Sequence, residues 1–145
     1  MSPLQRCCVV FLGLAMSTCW AGPADVEGRW LSGDGEGWIR VSVMADSLIG
    51  VIAGSTKPDL GEPPRRDNKN PDPKLRDRLL DGMTIMKGFK YDGEDKWTGG
   101  TVYDPNSGNT YKCILTQVDR NTLKIRGYIG ISLFGRSDTW TRDPE

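Results

Sequence analysis

Histidine is absent from all 145 residues. That single absence removes the commonest general base and the commonest transition-metal ligand, and with them the Ser-His hydrolases and His-ligated metalloenzymes. Cysteine is scarce where it would count. Cys7, Cys8 and Cys19 all precede Trp20, and Cys113 stands alone in the rest of the chain. One thiol closes no internal disulfide, so stability has to come from packing. No apolar run approaches the ~20 residues that span a bilayer as a helix; the longest, Cys7 to Met16, is about half that. Neither sign of charge is in excess, since 19 basic residues balance 19 acidic ones. With no basic cluster beyond Arg65-Arg66, nothing marks a surface for nucleic acid or an anionic membrane.

What is present begins with a leader. MSPLQR carries one positive charge, the apolar run follows, and Ser17-Thr18-Cys19-Trp20-Ala21 ends in a small-x-small pattern. This is the anatomy of a secretory signal peptide, with cleavage expected after Ala21 and export as the consequence. Met16-Ser17-Thr18 is a poor lipid-attachment context for Cys19, so a lipoprotein anchor is not expected. Arg6 is the only charge within residues 1–21, which leaves residues 22–145 with a formal charge of −1. That length is one domain's worth.

Beyond the leader, apolar and polar residues alternate with a period of two. Leu123, Ile125, Gly127 and Ile129 oppose Lys124, Arg126 and Tyr128; Ile39, Val41 and Val43 oppose Arg40 and Ser42; Tyr111, Cys113 and Leu115 oppose Lys112 and Thr116. Each set reads as a strand with one buried face. Asp34-Gly35, Asp46-Ser47, Asp92-Gly93, Asp104-Pro105-Asn106-Ser107-Gly108 and Asp119-Arg120-Asn121 supply turn chemistry between them. Eight strands follow, near 27–31, 36–44, 48–55, 83–91, 96–103, 110–118, 122–129 and 137–142, with a long loop at about 56–82 that has room for a short helix from Pro73 to Leu80.

Eight strands paired in sequence leave two exposed edges unless the first meets the last, so the expected fold is all-β: one antiparallel up-and-down barrel. A two-sheet sandwich is the rival, but it needs several long crossings and the chain has one long loop. Gly28-Arg29-Trp30 at the start and Trp140-Thr141-Arg142 at the end resemble the calycin barrels (lipocalins, avidins, fatty-acid-binding proteins). In those barrels an indole plugs one end beneath a basic side chain, and here Gly28, Trp30 and Arg142 would form that plug. The runs DNKNPD (67–72), YDPNSGNTY (103–111) and RGYIGISLFGRSDTWTR (126–142) are similar to the bacterial domain of unknown function 2147 family. The resemblance implies a small exported single-domain protein of the bacterial envelope and brings no established activity.

The loop DNKNPDPKLRDR (67–78) holds one apolar residue. Asp67, Asn70 and Asp72 are oxygen donors for a hard cation, but the Asp-x-Asn-x-Asp-Gly spacing with its distant Glu is missing. The structural reading makes the loop a stiff cover in which Asn and Asp bond the local backbone and Arg76 and Arg78 pair with Asp72 or Asp77. Cys113, mid-strand on an apolar face, is expected to be an inert hydrophobe. Residues 130–135 are apolar for a loop, and either fold back as a plug or form a rim for a ligand, a protein partner or a second copy. Tyr91, Trp97, Tyr103, Phe134, Arg136 and Asp138 are the expected lining of an interior pocket.

Three functions fit. The first is a non-enzymatic barrel that takes a small apolar or amphipathic ligand, with no cofactor. The second is a structural or protein-interaction module with a filled core, which uses 130–135 or Arg65 to Arg78 as its contact. The third is a hydrolase working through carboxylates. An interior cavity separates the first from the second.

Overall fold

The computed structural model describes residues 22–128 and 135–144. A 3-10 turn, Pro23–Val26, leads into eight strands: β1 (Gly28–Leu31), β2 (Gly37–Met44), β3 (Ser47–Ser55), β4 (Thr84–Gly93), β5 (Lys96–Asp104), β6 (Asn109–Asp119), β7 (Thr122–Tyr128) and β8 (Arg136–Arg142). Every strand is antiparallel to its sequence neighbours, and β1 pairs with β8 through Trp30–Arg142 and Leu31–Thr141. The sheet is therefore a closed barrel, and the sandwich is excluded.

Meander order sends the β2–β3, β4–β5 and β6–β7 turns to one end and the four other connections to the opposite end. Two of the expected turns shift along the chain. β4 continues through Asp92 and Gly93, and the left-handed residues are Glu94 and Asp95; likewise Ala45, rather than Ser47, joins Asp46 in turning β2 into β3. The short helix expected from Pro73 to Leu80 is a single 3-10 turn, Pro73–Leu75, which Asp72 caps by accepting from the Lys74 amide.

The end that carries the short turns is solid. Val26, Trp30, Leu48, Phe89, Trp97, Leu115 and Leu123 are buried within it, and full burial of a large apolar side chain contributes roughly 1.5–3 kcal/mol. Gln117 extends the inward row of β6 and stays satisfied, donating to the Asp25 carbonyl. Small residues make space for large ones here. A Cβ on Gly100 would sit 2.2 Å from the Phe89 ring, so Gly100→Ala is expected to lose about 1–3 kcal/mol by overpacking. Gly127→Ala, whose new Cβ would meet Cys113 Sγ at 3.5 Å, is expected to shift stability by less than about 1 kcal/mol, the surface range. Urea denaturation of the two variants checks the contrast.

Over Trp30 lies the plug. The indole Nε1 donates to the Val26 carbonyl at 3.0 Å, and the Arg142 guanidinium sits 4.2 Å above the ring. Arg142 also donates to the carbonyls of Asp25, Glu27 and Arg120, tying the 3-10 turn and the β6–β7 turn to the barrel end. Gly28, with φ of +135°, is where a Cβ would strike Arg142 Nη1 at 2.6 Å. The Gly-x-Trp spacing is thus a steric requirement of the guanidinium stack. Outside the wall, Arg29 stacks on Trp38 and pairs with Asp143, fastening that residue against β1.

Candidate functional site

The opposite end is hollow. On β8 the alternating residues Arg136, Asp138 and Trp140 reach it; β5 brings Val102 and Tyr103, β6 brings Tyr111 and Cys113, and β7 brings Ile125 and Tyr128. Two adjoining cavities of about 690 and 340 Å³ share Asp34, Val102, Asp104, Asp138 and Trp140 in their walls. Ile39, Ile52 and Ile85 form an apolar wall of the smaller one, Cys113 and Ile125 of the larger.

The mouth is held by hydrogen bonds around carboxylates. Asp138 Oδ2 accepts from Trp140 Nε1 at 2.8 Å and from the Gly33 amide at 3.3 Å, which lashes the β1–β2 turn to β8. Within that turn Asp34 accepts from Ser32 Oγ at 2.5 Å and the Glu36 amide at 3.0 Å. Asp104, at the end of β5, accepts from the Asn106 amide at 2.9 Å and Ser107 Oγ at 2.6 Å.

Of the six residues expected in a pocket, Tyr103, Arg136 and Asp138 line these cavities. Tyr91 and Trp97 do not join them. Their rings pack edge to face at 5.1 Å beside the β4–β5 turn, and Trp97 is part of the solid end. The physical reason is height. Trp97 and Tyr103 stand six positions apart on one strand, roughly 20 Å at the strand rise. Phe134, and with it the 130–135 loop as far as residue 134, lies outside the described residues. The carboxylates Asp34 and Asp104 and the indole of Trp140 were not in the expected pocket, since each looks in sequence like an ordinary turn or plug residue.

The long loop crosses the same end as a braced cover. Asp67 is wholly buried although its neighbours in sequence are exposed. Its carboxylate accepts from Tyr103 Oη at 2.6 Å, Asn70 Nδ2 at 2.7 Å and Arg78 Nε at 2.9 Å. Burial raises this carboxyl, but the hydrogen bonds from Tyr103, Asn70 and Arg78 outweigh it and hold the group below the usual range. Tyr103 is pushed up by burial and by the adjoining Asp67. Lys69 Nζ donates to the Asn106 carbonyl at 2.7 Å, so the DNKNPD and YDPNSGNTY runs are two halves of one contact. Arg78 pairs with Asp67, and Arg76 donates to the Asn70 carbonyl at 2.8 Å, in place of the expected pairing with Asp72 or Asp77. The oxygen atoms considered for a cation are engaged here: Asp67 as above, Asn70 Oδ1 by the Asp72 amide, and Asp72 by the Lys74 amide. Among the described residues no three His, Cys, Asp or Glu side chains converge closely enough to hold a metal ion.

Cys113 borders the larger cavity, yet is 2% exposed, and burial pushes its thiol up to about 11. Reactivity follows the thiolate. Iodoacetamide at pH 8 is therefore expected to label Cys113 at least about 100-fold more slowly in the folded protein than in urea; comparable rates would show that the cavity wall opens freely.

Residues 28–142 match the family model described as "Uncharacterized protein conserved in bacteria (DUF2147)". Among solved structures, protein HP1028 from the human pathogen Helicobacter pylori, described as belonging to the lipocalin family, superposes with a TM-score of 0.72. It is 21% identical, over 82% of this chain and 83% of that one. A redesigned β-barrel aligns with a TM-score of 0.42 at 17% identity, over 82% and 92% of the two chains. No curated protein matches. The likeness to HP1028 shows a lipocalin-like fold, and the chain belongs to the DUF2147 family.

Proposed function

We propose that this member of the DUF2147 family is an exported, non-enzymatic carrier or receptor that holds one small amphipathic ligand in the open half of its barrel. The observation that carries the reading is the asymmetry of the interior: large side chains fill one end, while the other keeps about 690 Å³ beside an adjoining 340 Å³. Pockets for small molecules run to roughly 300–1,000 Å³, with apolar walls and a few polar groups. An eight-stranded barrel is just wide enough to enclose one such molecule. The lipocalin-like fold supports the same reading, and the leader-type residues 1–21 support export to the periplasm. The filled-module alternative accounts for the Trp30 end only.

Binding is tested with N-phenyl-1-naphthylamine, a neutral apolar fluorophore, titrated into the protein lacking residues 1–21. Saturable binding is expected, and Gly127→Leu should weaken it by about tenfold or more by filling the larger cavity. The fold should survive this change, because a Cβ at Gly127 makes ordinary contacts. No saturable binding, or binding indifferent to Gly127→Leu, overturns the reading. Export is tested by the mass of protein recovered from the periplasm, which should begin at Gly22; a cytoplasmic chain that retains residues 1–21 overturns that part.

A further inference from the structure

Resting on that binding reading, we propose that the ligand is a cationic amphiphile, an amine or quaternary ammonium head on an apolar tail. The five residues common to both cavities comprise three carboxylates, one indole and one valine, with no cation. Every hydrogen bond to Asp34, Asp104 and Asp138 described above comes from a neutral donor: a backbone amide, a serine hydroxyl or the Trp140 indole. Neutral donors position a carboxylate without cancelling its charge. Among the described residues, no lysine or arginine forms an ion pair with any of the three. The cations in the walls are outnumbered, one arginine to each cavity against at least three carboxylates. Arg136 borders the larger cavity from an exposed position, and Arg65 borders the smaller one with its guanidinium 2.7 Å from Asp81.

The chain beyond its leader is close to neutral, so this sign is local to one mouth and is not a property of the whole molecule. Low-dielectric walls focus such a field on what enters. Aromatic side chains supply the second half of the argument. Trp140 is shared by both cavities, Tyr103 borders the smaller, and Tyr111 and Tyr128 border the larger. Ring faces attract a cation, and a quaternary ammonium gains most because it sheds water easily. The indole of Trp140 is held in place by its bond to Asp138, so an aromatic surface and a carboxylate are presented together. A fatty-acid carboxylate entering the same mouth would meet three like charges. A compact metal ion fits no better, since the carboxylates stand on three different segments and do not converge.

The test is calorimetry on the protein lacking residues 1–21, with three probes that share a decyl tail: decyltrimethylammonium, decanoate and the neutral decyl maltoside, each below its micellar concentration. At low salt the ammonium probe is expected to bind at least about tenfold more tightly than decanoate. Raising ionic strength from about 20 to 200 mM should narrow that gap, because exposed charges are screened beyond a Debye length. Asp34→Asn and Asp104→Asn each keep an oxygen for the turn and should each reduce the preference about two- to fivefold. Asp46→Asn removes the same charge beside the β2–β3 turn at the far end and should leave it unchanged. Equal affinity for the three probes, a preference for decanoate, or a preference unmoved by salt and by both mouth variants overturns the cationic assignment while ligand binding stands. No binding of any probe overturns the ligand-binding reading and this inference together.

Discussion

Trp30→Ala is expected to lower the unfolding free energy by about 3–5 kcal/mol, the range for deleting a large buried aromatic side chain. Three losses combine. The indole is wholly buried, its Nε1 satisfies the Val26 carbonyl, and its face supports the Arg142 guanidinium 4.2 Å away. The position is also structurally exposed to failure, because Trp30–Arg142 is one of two residue pairs that close β1 on β8. A domain is stable by only about 5–15 kcal/mol, so one residue here holds a large share. Arg142→Ala should cost less, about 1–3 kcal/mol, because the carbonyls of Asp25, Glu27 and Arg120 that it releases can take up water. A double-mutant cycle should give a coupling of about 0.5–2 kcal/mol for the stacked pair. Urea denaturation followed by tryptophan fluorescence and circular dichroism measures all three. A Trp30→Ala effect below about 1 kcal/mol, the surface range, would overturn the plug.

That plug was legible in the sequence because two short motifs at opposite ends of the chain point to one place. The strands were legible for a related reason. A period of two fixes which face a side chain occupies, and edge avoidance then closes eight sequential strands into a barrel. What the same pattern does not encode is height along a strand. Trp97 and Tyr103 both looked like pocket residues, yet only Tyr103 borders a cavity, where it also braces the cover, and Trp97 packs the solid end. Bulges compound this, since the β5–β6 register shifts between Trp97 and Gly100 and the face parity of Trp97 does not carry through to Tyr103. Ion partners are hidden by the same geometry. Arg78 has Asp77 beside it in sequence but reaches Asp67, eleven positions away, because the Arg66–Leu79 bridge folds the loop back on itself. The carboxylates at the mouth were individually visible as turn residues. Their shared position appears only once the β1–β2 turn, the end of β5 and β8 are brought to one rim.

Asp67→Asn is expected to cost about 2–4 kcal/mol near pH 7, since it turns one acceptor into a donor facing Tyr103, Asn70 and Arg78. The figure sits low for a buried ion pair because Arg78 is 41% exposed and can turn to water. Its pH dependence tells this account from simple loss of packing. Folding lowers the Asp67 carboxyl below its ordinary value, so the unfolded chain takes up a proton first as pH falls. The stabilisation is complete above about pH 4, the range of an unperturbed aspartate, and is lost as pH falls through the lower folded value. Wild type and Asp67→Asn should therefore differ most at pH 7 and converge below pH 4. Cleavage by a protease within residues 56–82 should quicken in the variant at neutral pH, because Asp67 joins the cover to Tyr103 on β5. Urea midpoints at pH 7, 4 and 3 decide the matter. A gap of constant size across that range would show that the charge of Asp67 contributes nothing, and that the cover is held by shape alone.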